Sequence, residues 1–230
     1  MSKPVEIAYF SDVLCVWAYV SQIRLDELQA KLSANINISY RFISIFGCTE
    51  ARIGSKWEDR GGFDGYARHV AEVGELFPHV KIDPGAWTRC RPRSSASCHL
   101  FLKALQTLED EDLLTADEPG VRTPFEEFAW RARCAFFEDA RDIGNLDTLY
   151  ELAREMGLPT QAIADRINSG AAMAALCRDL DDRDLYRIEG SPTYLLNHGR
   201  QKLYGNVGYR IIEANIRELL ENPEGQASWC

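Results

Sequence analysis

Strand-forming patterns in this 230-residue chain are confined to its two ends, so any sheet built from them must be assembled across everything in between. Residues 5–10, VEIAYF, form a short run rich in β-branched and aromatic side chains, bounded by Pro4 and by Ser11-Asp12. That is the signature of a buried strand. From Cys15 to Leu32 the apolar positions Val16, Val20, Ile23, Leu25, Leu28 and Leu32 follow a helical period, with Arg24, Asp26, Glu27 and Lys31 on the outer face. Residues 36–45, INISYRFISI, alternate as a strand does. A strand, a helix of this length and a second strand predict a right-handed crossover between parallel strands.

The middle of the chain has a different character. Residues 47–64 are polar and Gly-rich, a long connection of the kind that is mobile or functional. Helical patterns then cover 66–77 (stopped by Pro78), 94–110, 124–139, 146–157, 160–168 and 171–182. Gly157 closes one of these and Thr160 is placed to cap the next, while Met173, Leu176 and Leu180 line one face of the last. Strand character returns at 193–197, turns at 198–200 and pairs back at 201–204 as a hairpin. The closing helix, 208–221, carries Ile211, Ile212, Ile216, Leu219 and Leu220, and EGQASWC reads as a loose tail. The expected fold is therefore α/β: β-α-β, a large all-helical insertion, then β-β-α. The expected division is 1–60 for the first half of the core, 61–185 for the insertion, 186–222 for the second half and 223–230 for the tail.

Composition narrows the function classes. A net charge of -9 argues against nucleic acid as the main partner, because binding phosphates takes a dense basic face. The richest basic stretch, Arg89, Arg91 and Arg93, suits a solvated loop or a small anion. The chain opens MSKPVEIAYF without the apolar run of a secretory signal. It also lacks an uncharged stretch of about 18 residues that could cross a membrane, so the expected location is cytoplasmic. The seven cysteines, at 15, 48, 90, 98, 134, 177 and 230, form no Cys-x-x-Cys pair and no zinc-like spacing with the four histidines. Most are expected to be free thiols that pack as small apolar residues. No metal and no nucleotide is expected.

Cys15 differs from the others by position. It ends an apolar strand and opens an amphipathic helix, where unpaired backbone N–H groups and the helix dipole favour a thiolate. A cysteine pKa of about 8.5 can fall to about 3.5–7.5 at such places. The thiolate is the attacking species in thiol–disulfide exchange. Trp17 is expected to wall the sulfur, and Asp12 to oppose its ionisation. On position alone, a buried core thiol is the other reading. Ser191-Pro192 stands just before the returning strand, where a cis X-Pro bond would leave the backbone of Ser191 free to pair with an extended ligand.

These segments carry a resemblance. FSDVLCVWAYVSQIRLDEL at the start, CHLFLKAL at 98–105, FEEFAWRARCAFFEDARDIGNLDTLYELAREMGL at 125–158 and EGSPTYLLNHGRQKLYGNVGYRIIEANIREL at the end are similar to the DsbA-like thioredoxin-fold superfamily. The resemblance is greatest to its cytosolic FrnE-type branch, which is related to 2-hydroxychromene-2-carboxylate isomerases and kappa-class glutathione transferases. It covers most of the chain, with residues 47–90 matching least, and implies a thioredoxin fold interrupted by a helical domain. It also implies that Cys15 stands at the nucleophilic cysteine and Ala18 where dithiol enzymes keep a resolving cysteine. Val16-Trp17 form the variable dipeptide, Pro192 is the cis-proline with Ser191 before it, and Asn206 lies near the γ-glutamyl end of bound glutathione.

The resulting expectation is a thiol-dependent oxidoreductase with a monothiol Cys-x-x-Ala site, using glutathione on a small-molecule thiol or disulfide substrate. Without a second thiol, an external one must resolve the mixed disulfide, unless Cys90 or Cys98 folds nearby. Two alternatives stand beside it: a glutathione-dependent isomerase or transferase in which Cys15 only orients a bound thiol, and a non-catalytic binding protein. A homodimer is compatible with all three. Trp57, Phe63, Tyr66 and Trp87 either wall an apolar substrate pocket or pack in the core. His99 suits a structural hydrogen bond and His69 the surface, while Glu126, Glu127, Asp139 and Asp142 suit solvated helix faces.

Overall fold

The computed structural model describes residues 3–114 and 122–221, so the expected tail at 223–230 lies outside the described residues. Strand β1 (Val5–Ser11) leads through helices α1 (Val16–Val20) and α2 (Gln22–Leu32) to β2 (Ile36–Phe42). β1 and β2 are parallel, with Val5 opposite Ile36, as the crossover predicts. The single helix expected over 15–32 is broken at Ser21. Its hydroxyl bonds back to the Ala18 carbonyl at 3.2 Å and lies 3.4 Å from the Tyr9 hydroxyl. A serine bonded to an earlier carbonyl of its own helix favours such a bend.

The connection after β2 is structured: it holds a π-helical stretch (Glu50–Ser55) and a 3-10 turn (Glu58–Arg60) before α3 (Gly62–Glu75). Helices α4 (Ala96–Asp110), α5 (Pro124–Phe137), α6 (Leu146–Glu155), α7 (Thr160–Asn168) and α8 (Ala171–Leu185) follow, close to their expected bounds. Thr160 does not cap α7; Pro159 holds that position and no side-chain bond is made. A capping box stands instead at α5, where Thr123 Oγ1 accepts from the Glu126 N–H at 3.2 Å and Glu126 Oε2 accepts from the Thr123 N–H at 3.0 Å. Strands β3 (Thr193–Leu196) and β4 (Gln201–Tyr204) form the hairpin, and α9 (Tyr209–Glu221) closes the chain.

The sheet order is β2-β1-β3-β4, with β3 antiparallel to both neighbours. The two chain ends thus meet at β1 and β3, with Phe10 opposite Thr193. Val5, Ile7, Tyr9, Tyr40, Phe42, Tyr194 and Leu196 join the large core shared with the helices. Phe10 and Leu195 enter a smaller cluster with Ile43 and Ile188. The outer edge of β2 is satisfied by side chains rather than another strand. Asp179 of α8 accepts from the Phe42 N–H at 2.9 Å, and Gln106 of α4 donates to the Tyr40 carbonyl at 3.3 Å. Asp179 is itself buried and paired with Lys103 at 3.0 Å.

One helix face is turned relative to expectation. On α8 the buried face is Ala172, Ala175, Leu176 and Asp179, leaving Met173 49% exposed. The ion pair with Lys103, which requires Asp179 inward, sets that phase. On α9 Ile212, Ile216 and Leu219 are buried, as the apolar pattern predicts, and only Ile211 of the isoleucines turns outward. Among the described residues no helix is long and apolar enough to cross a membrane, and no cluster of His, Cys, Asp or Glu is placed to hold a metal ion.

Candidate active site

The pairing of β1 with β3 brings the residues just beyond each strand together. Cys15 occupies the N-cap of α1, held by its N–H on the Asp12 carbonyl at 3.1 Å. Its Sγ–H donates to the Ser191 carbonyl oxygen at 3.2 Å, across 176 residues of sequence. The Ser191–Pro192 peptide bond is cis. The Asp12 N–H donates to Ser191 Oγ at 2.9 Å. That leaves the serine hydroxyl proton free to point at the sulfur, and the backbone N–H groups of Trp17 and Ala18 face it as well.

These donors do not make the resting sulfur a thiolate. Cys15 is only 5% exposed, and burial pushes its thiol pKa up. The Ser191 hydroxyl and the Ala18 N–H pull it down, the Asp12 carboxylate pushes it up again, and the Trp17 N–H is a weaker favourable contact. The expectation of a depressed pKa is therefore corrected. It rested on a helix N-terminus, but α1 is five residues long and the sulfur is desolvated.

Beneath Cys15, Asp12 is a fully buried hub. Oδ1 accepts from the Leu14 N–H at 2.9 Å, and Oδ2 accepts from the Phe46 N–H at 2.8 Å and the Ser95 hydroxyl at 2.8 Å. His99 has the structural role expected of it. Its Nε2 accepts from the Val13 N–H at 3.2 Å, which puts the ring proton on Nδ1, sealed and without a partner. The ring stacks on Phe42 at 5.2 Å, and burial lowers its pKa so that it stays neutral. Arg133, 2% exposed, donates to Gln22 Oε1 at 2.9 Å and Ser11 Oγ at 3.1 Å and forms no ion pair among the described residues. Neither the Ser95 contact nor the Arg133 contact has a signal in the sequence, because each joins segments far apart along the chain.

Trp17 is half-buried and places its ring 6.3 Å from His69 and 6.3 Å from Phe77. His69, expected at the surface, lies among aromatics, 5.4 Å from Trp57 and 6.1 Å from Tyr66. The four aromatics of the irregular region divide. Trp87 is fully buried core, Tyr66 is nearly so, and Trp57 and Phe63 stay half-open under Arg60 and Arg91. Arg89 and Arg91 are paired with Asp83 and Asp64, which takes up two of the three positive charges of the Arg-rich loop. Glu127 pairs with Arg122 and Arg131 at the helix surface.

Asn206 is exposed one residue after Gly205, whose N–H donates to the Pro192 carbonyl at 2.9 Å. It therefore sits beside the cis-proline loop. Ala18 is fully buried. Cys98 and Cys90 are buried free thiols whose pKa values burial raises, that of Cys90 to about 11. An inert buried thiol is a poor resolving group.

Sheet order, cis-proline loop and helical insertion are those of the DsbA-like thioredoxin fold. Among solved structures, the chain superposes on a protein provisionally classed as a disulfide isomerase from Nitrosomonas europaea with a TM-score of 0.68 and 17% identity, covering 95% of this chain and 97% of the other. A 2-hydroxychromene-2-carboxylate isomerase matches with a TM-score of 0.65 and 14% identity, over 95% and 97% of the two chains. The cytosolic disulfide reductase DsbM from Pseudomonas aeruginosa, in a structure with glutathione, matches with a TM-score of 0.62 and 18% identity, over 92% and 99%. At such identities the likeness is one of fold. No protein-family model and no curated protein sequence matches the chain.

Proposed function

We propose that this protein is a thiol-dependent enzyme in which Cys15 exchanges with a disulfide, with glutathione as the low-molecular-weight thiol. The observation that carries the reading is the Cys15 sulfur set 3.2 Å from the Ser191 carbonyl at the cis-proline loop, with the Ser191 hydroxyl and two backbone N–H groups turned towards it. Those donors stabilise a thiolate once it forms, and an extended ligand can pair with the loop backbone. With Ala18 in place of a second thiol, an external thiol resolves the mixed disulfide. Asn206, next to the loop, would hold the polar end of glutathione, and Trp17 would flank the sulfur.

The test is intact mass after incubation with oxidised glutathione, for wild type, Cys15→Ala and Cys15→Ser. One adduct that maps to Cys15 and vanishes in Cys15→Ala is the expected result. An unchanged adduct pattern in Cys15→Ala would sink the proposal. A second reading has one specific observation in its favour: the resting sulfur is a neutral thiol donating to Ser191, a bond that a serine hydroxyl could equally make. Under that reading, an isomerase or transferase, Cys15→Ser keeps activity on the true substrate and Cys15→Ala loses it.

A further inference from the structure

Gly190 opens the loop that carries Ser191, and its φ lies outside the left-handed region, so its backbone does not require glycine. What excludes a side chain there is a neighbour. A Cβ at position 190 would lie 2.4 Å from Cε2, 2.7 Å from Cζ and 2.5 Å from Oη of Tyr204, well inside van der Waals contact. The outer end of the Tyr204 ring therefore takes the space a side chain at 190 would fill.

Tyr204 ends β4, opposite Thr193 of β3. It is 65% exposed, so burial in a core does not account for where the ring lies. Other contacts tie the same segments together. Lys202, two residues earlier and on the same face of β4, donates from Nζ to the Tyr186 and Arg187 carbonyls at 3.2 and 3.1 Å. The Gly205 N–H donates to the Pro192 carbonyl at 2.9 Å, and Thr193 Oγ1 donates to the Gly190 carbonyl at 2.8 Å. The end of β4 thus holds the chain both before and after Ser191. Ser191 in turn meets the candidate nucleophile directly. Its carbonyl accepts from Cys15 Sγ–H at 3.2 Å, and its Oγ accepts from the Asp12 N–H at 2.9 Å.

We infer that Tyr204 is a positioning residue for Cys15, its ring seated on Gly190 so that Ser191 stays fixed against the sulfur. The inference rests on the thiol-exchange reading above. In that exchange Cys15 loses its proton to solvent and its thiolate attacks one sulfur of a disulfide R–S–S–R′. A Cys15–S–S–R bond forms, the S–S bond of the substrate breaks, and R′–S⁻ leaves with the electron pair and takes up a proton from water. The Ser191 hydroxyl helps the thiolate only while it is held in place, because a donor already fixed needs no reorganisation as charge appears. Tyr204 touches neither the sulfur nor the disulfide; it acts through Gly190.

The experiment follows iodoacetamide labelling of the Cys15 peptide by mass spectrometry across pH, together with adduct formation from oxidised glutathione. Full loss of a hydrogen bond to the thiolate would raise the labelling profile by about one pH unit or more, and a loosened one by about half of that. Tyr204→Ala should therefore move the profile up by about 0.5 unit and slow both reactions about threefold near neutral pH. Tyr204→Phe keeps the ring and should behave as wild type. Gly190→Ala should reproduce Tyr204→Ala, because its methyl drives the exposed ring out into solvent. Combined with Tyr204→Ala it should add nothing, since both act through one contact.

A labelling profile that stays in place or moves to lower pH in Tyr204→Ala overturns the inference, whatever the thermal midpoint does. So does a Tyr204→Phe variant as slow as Tyr204→Ala, or a Gly190→Ala effect that adds in full to that of Tyr204→Ala. If the glutathione adduct persists at another residue in Cys15→Ala, the exchange reading itself fails and this inference falls with it. A Cys15-dependent adduct with an unmoved profile in Tyr204→Ala removes only the inference.

Discussion

Replacing Asp12 with Asn should lower stability and at the same time make Cys15 more acidic. The carboxylate accepts three hydrogen bonds in a fully buried setting, from Leu14 N–H, Phe46 N–H and the Ser95 hydroxyl. Asn has one acceptor oxygen and one NH₂ group. Whichever way its amide is turned, the NH₂ faces either the Leu14 or the Phe46 N–H, donor against donor. The Ser95 hydroxyl can rotate to accept, but the backbone groups cannot. One orphaned buried N–H costs about 1–3 kcal/mol, and the bonds that survive lose their charge assistance. Together these give about 3 kcal/mol. For a chain of this size each kcal/mol shifts the thermal midpoint by about 2–4 °C, so a fall of about 6–12 °C is expected by calorimetry. Because the Asp12 charge pushes the Cys15 pKa up, its removal should shift the pH profile of Cys15 alkylation to lower pH. A midpoint within about 2 °C of wild type would refute the claim that this carboxylate ties the three segments together. A midpoint shift with an unmoved alkylation profile would refute its electrostatic action on the sulfur.

Two further outcomes follow from buried charge elsewhere. His99 has a folded pKa below its ordinary value, so the unfolded chain takes up a proton first as pH falls. Its share of stability is present above about pH 6.5 and is lost as pH drops below that value. Denaturant midpoints between pH 7.5 and 5 should show the loss, and His99→Gln, whose carbonyl can still accept from Val13, should flatten it; an equally steep profile in that variant would exclude His99 as the cause. Lys103→Met strands the Asp179 carboxylate in the core with only Arg41, at 3.6 Å, to balance it. The expected cost is about 3 kcal/mol by urea titration, with part recovered in Lys103→Met/Asp179→Asn. Full additivity of the two substitutions would show that the pair is not coupled.

Strands and helices were legible in the sequence because their signals are local: the alternation of 36–45, the 3.6-residue period after Cys15, the hairpin turn at 198–200. So was the placement of Cys15 at a strand–helix junction and of Ser191-Pro192 before a strand, since both need only neighbours along the chain. Where a pattern admitted two phases, local reading failed. On α8 small apolar residues and charges alternate so closely that Met173 reads as inward, and only the reach of Lys103 turns Asp179 to the core. The chemistry of the site was decided elsewhere. Asp12 meets Phe46 and Ser95 across 34 and 83 residues, and Cys15 meets Ser191 across 176. Those contacts exist because β1 pairs with β3 and α4 packs beneath, not because of any spacing in the sequence. The acidity of Cys15 follows the same rule. Its position promised a helix N-terminus, but desolvation depends on what the rest of the chain brings around the sulfur, and burial exceeds the help of its donors.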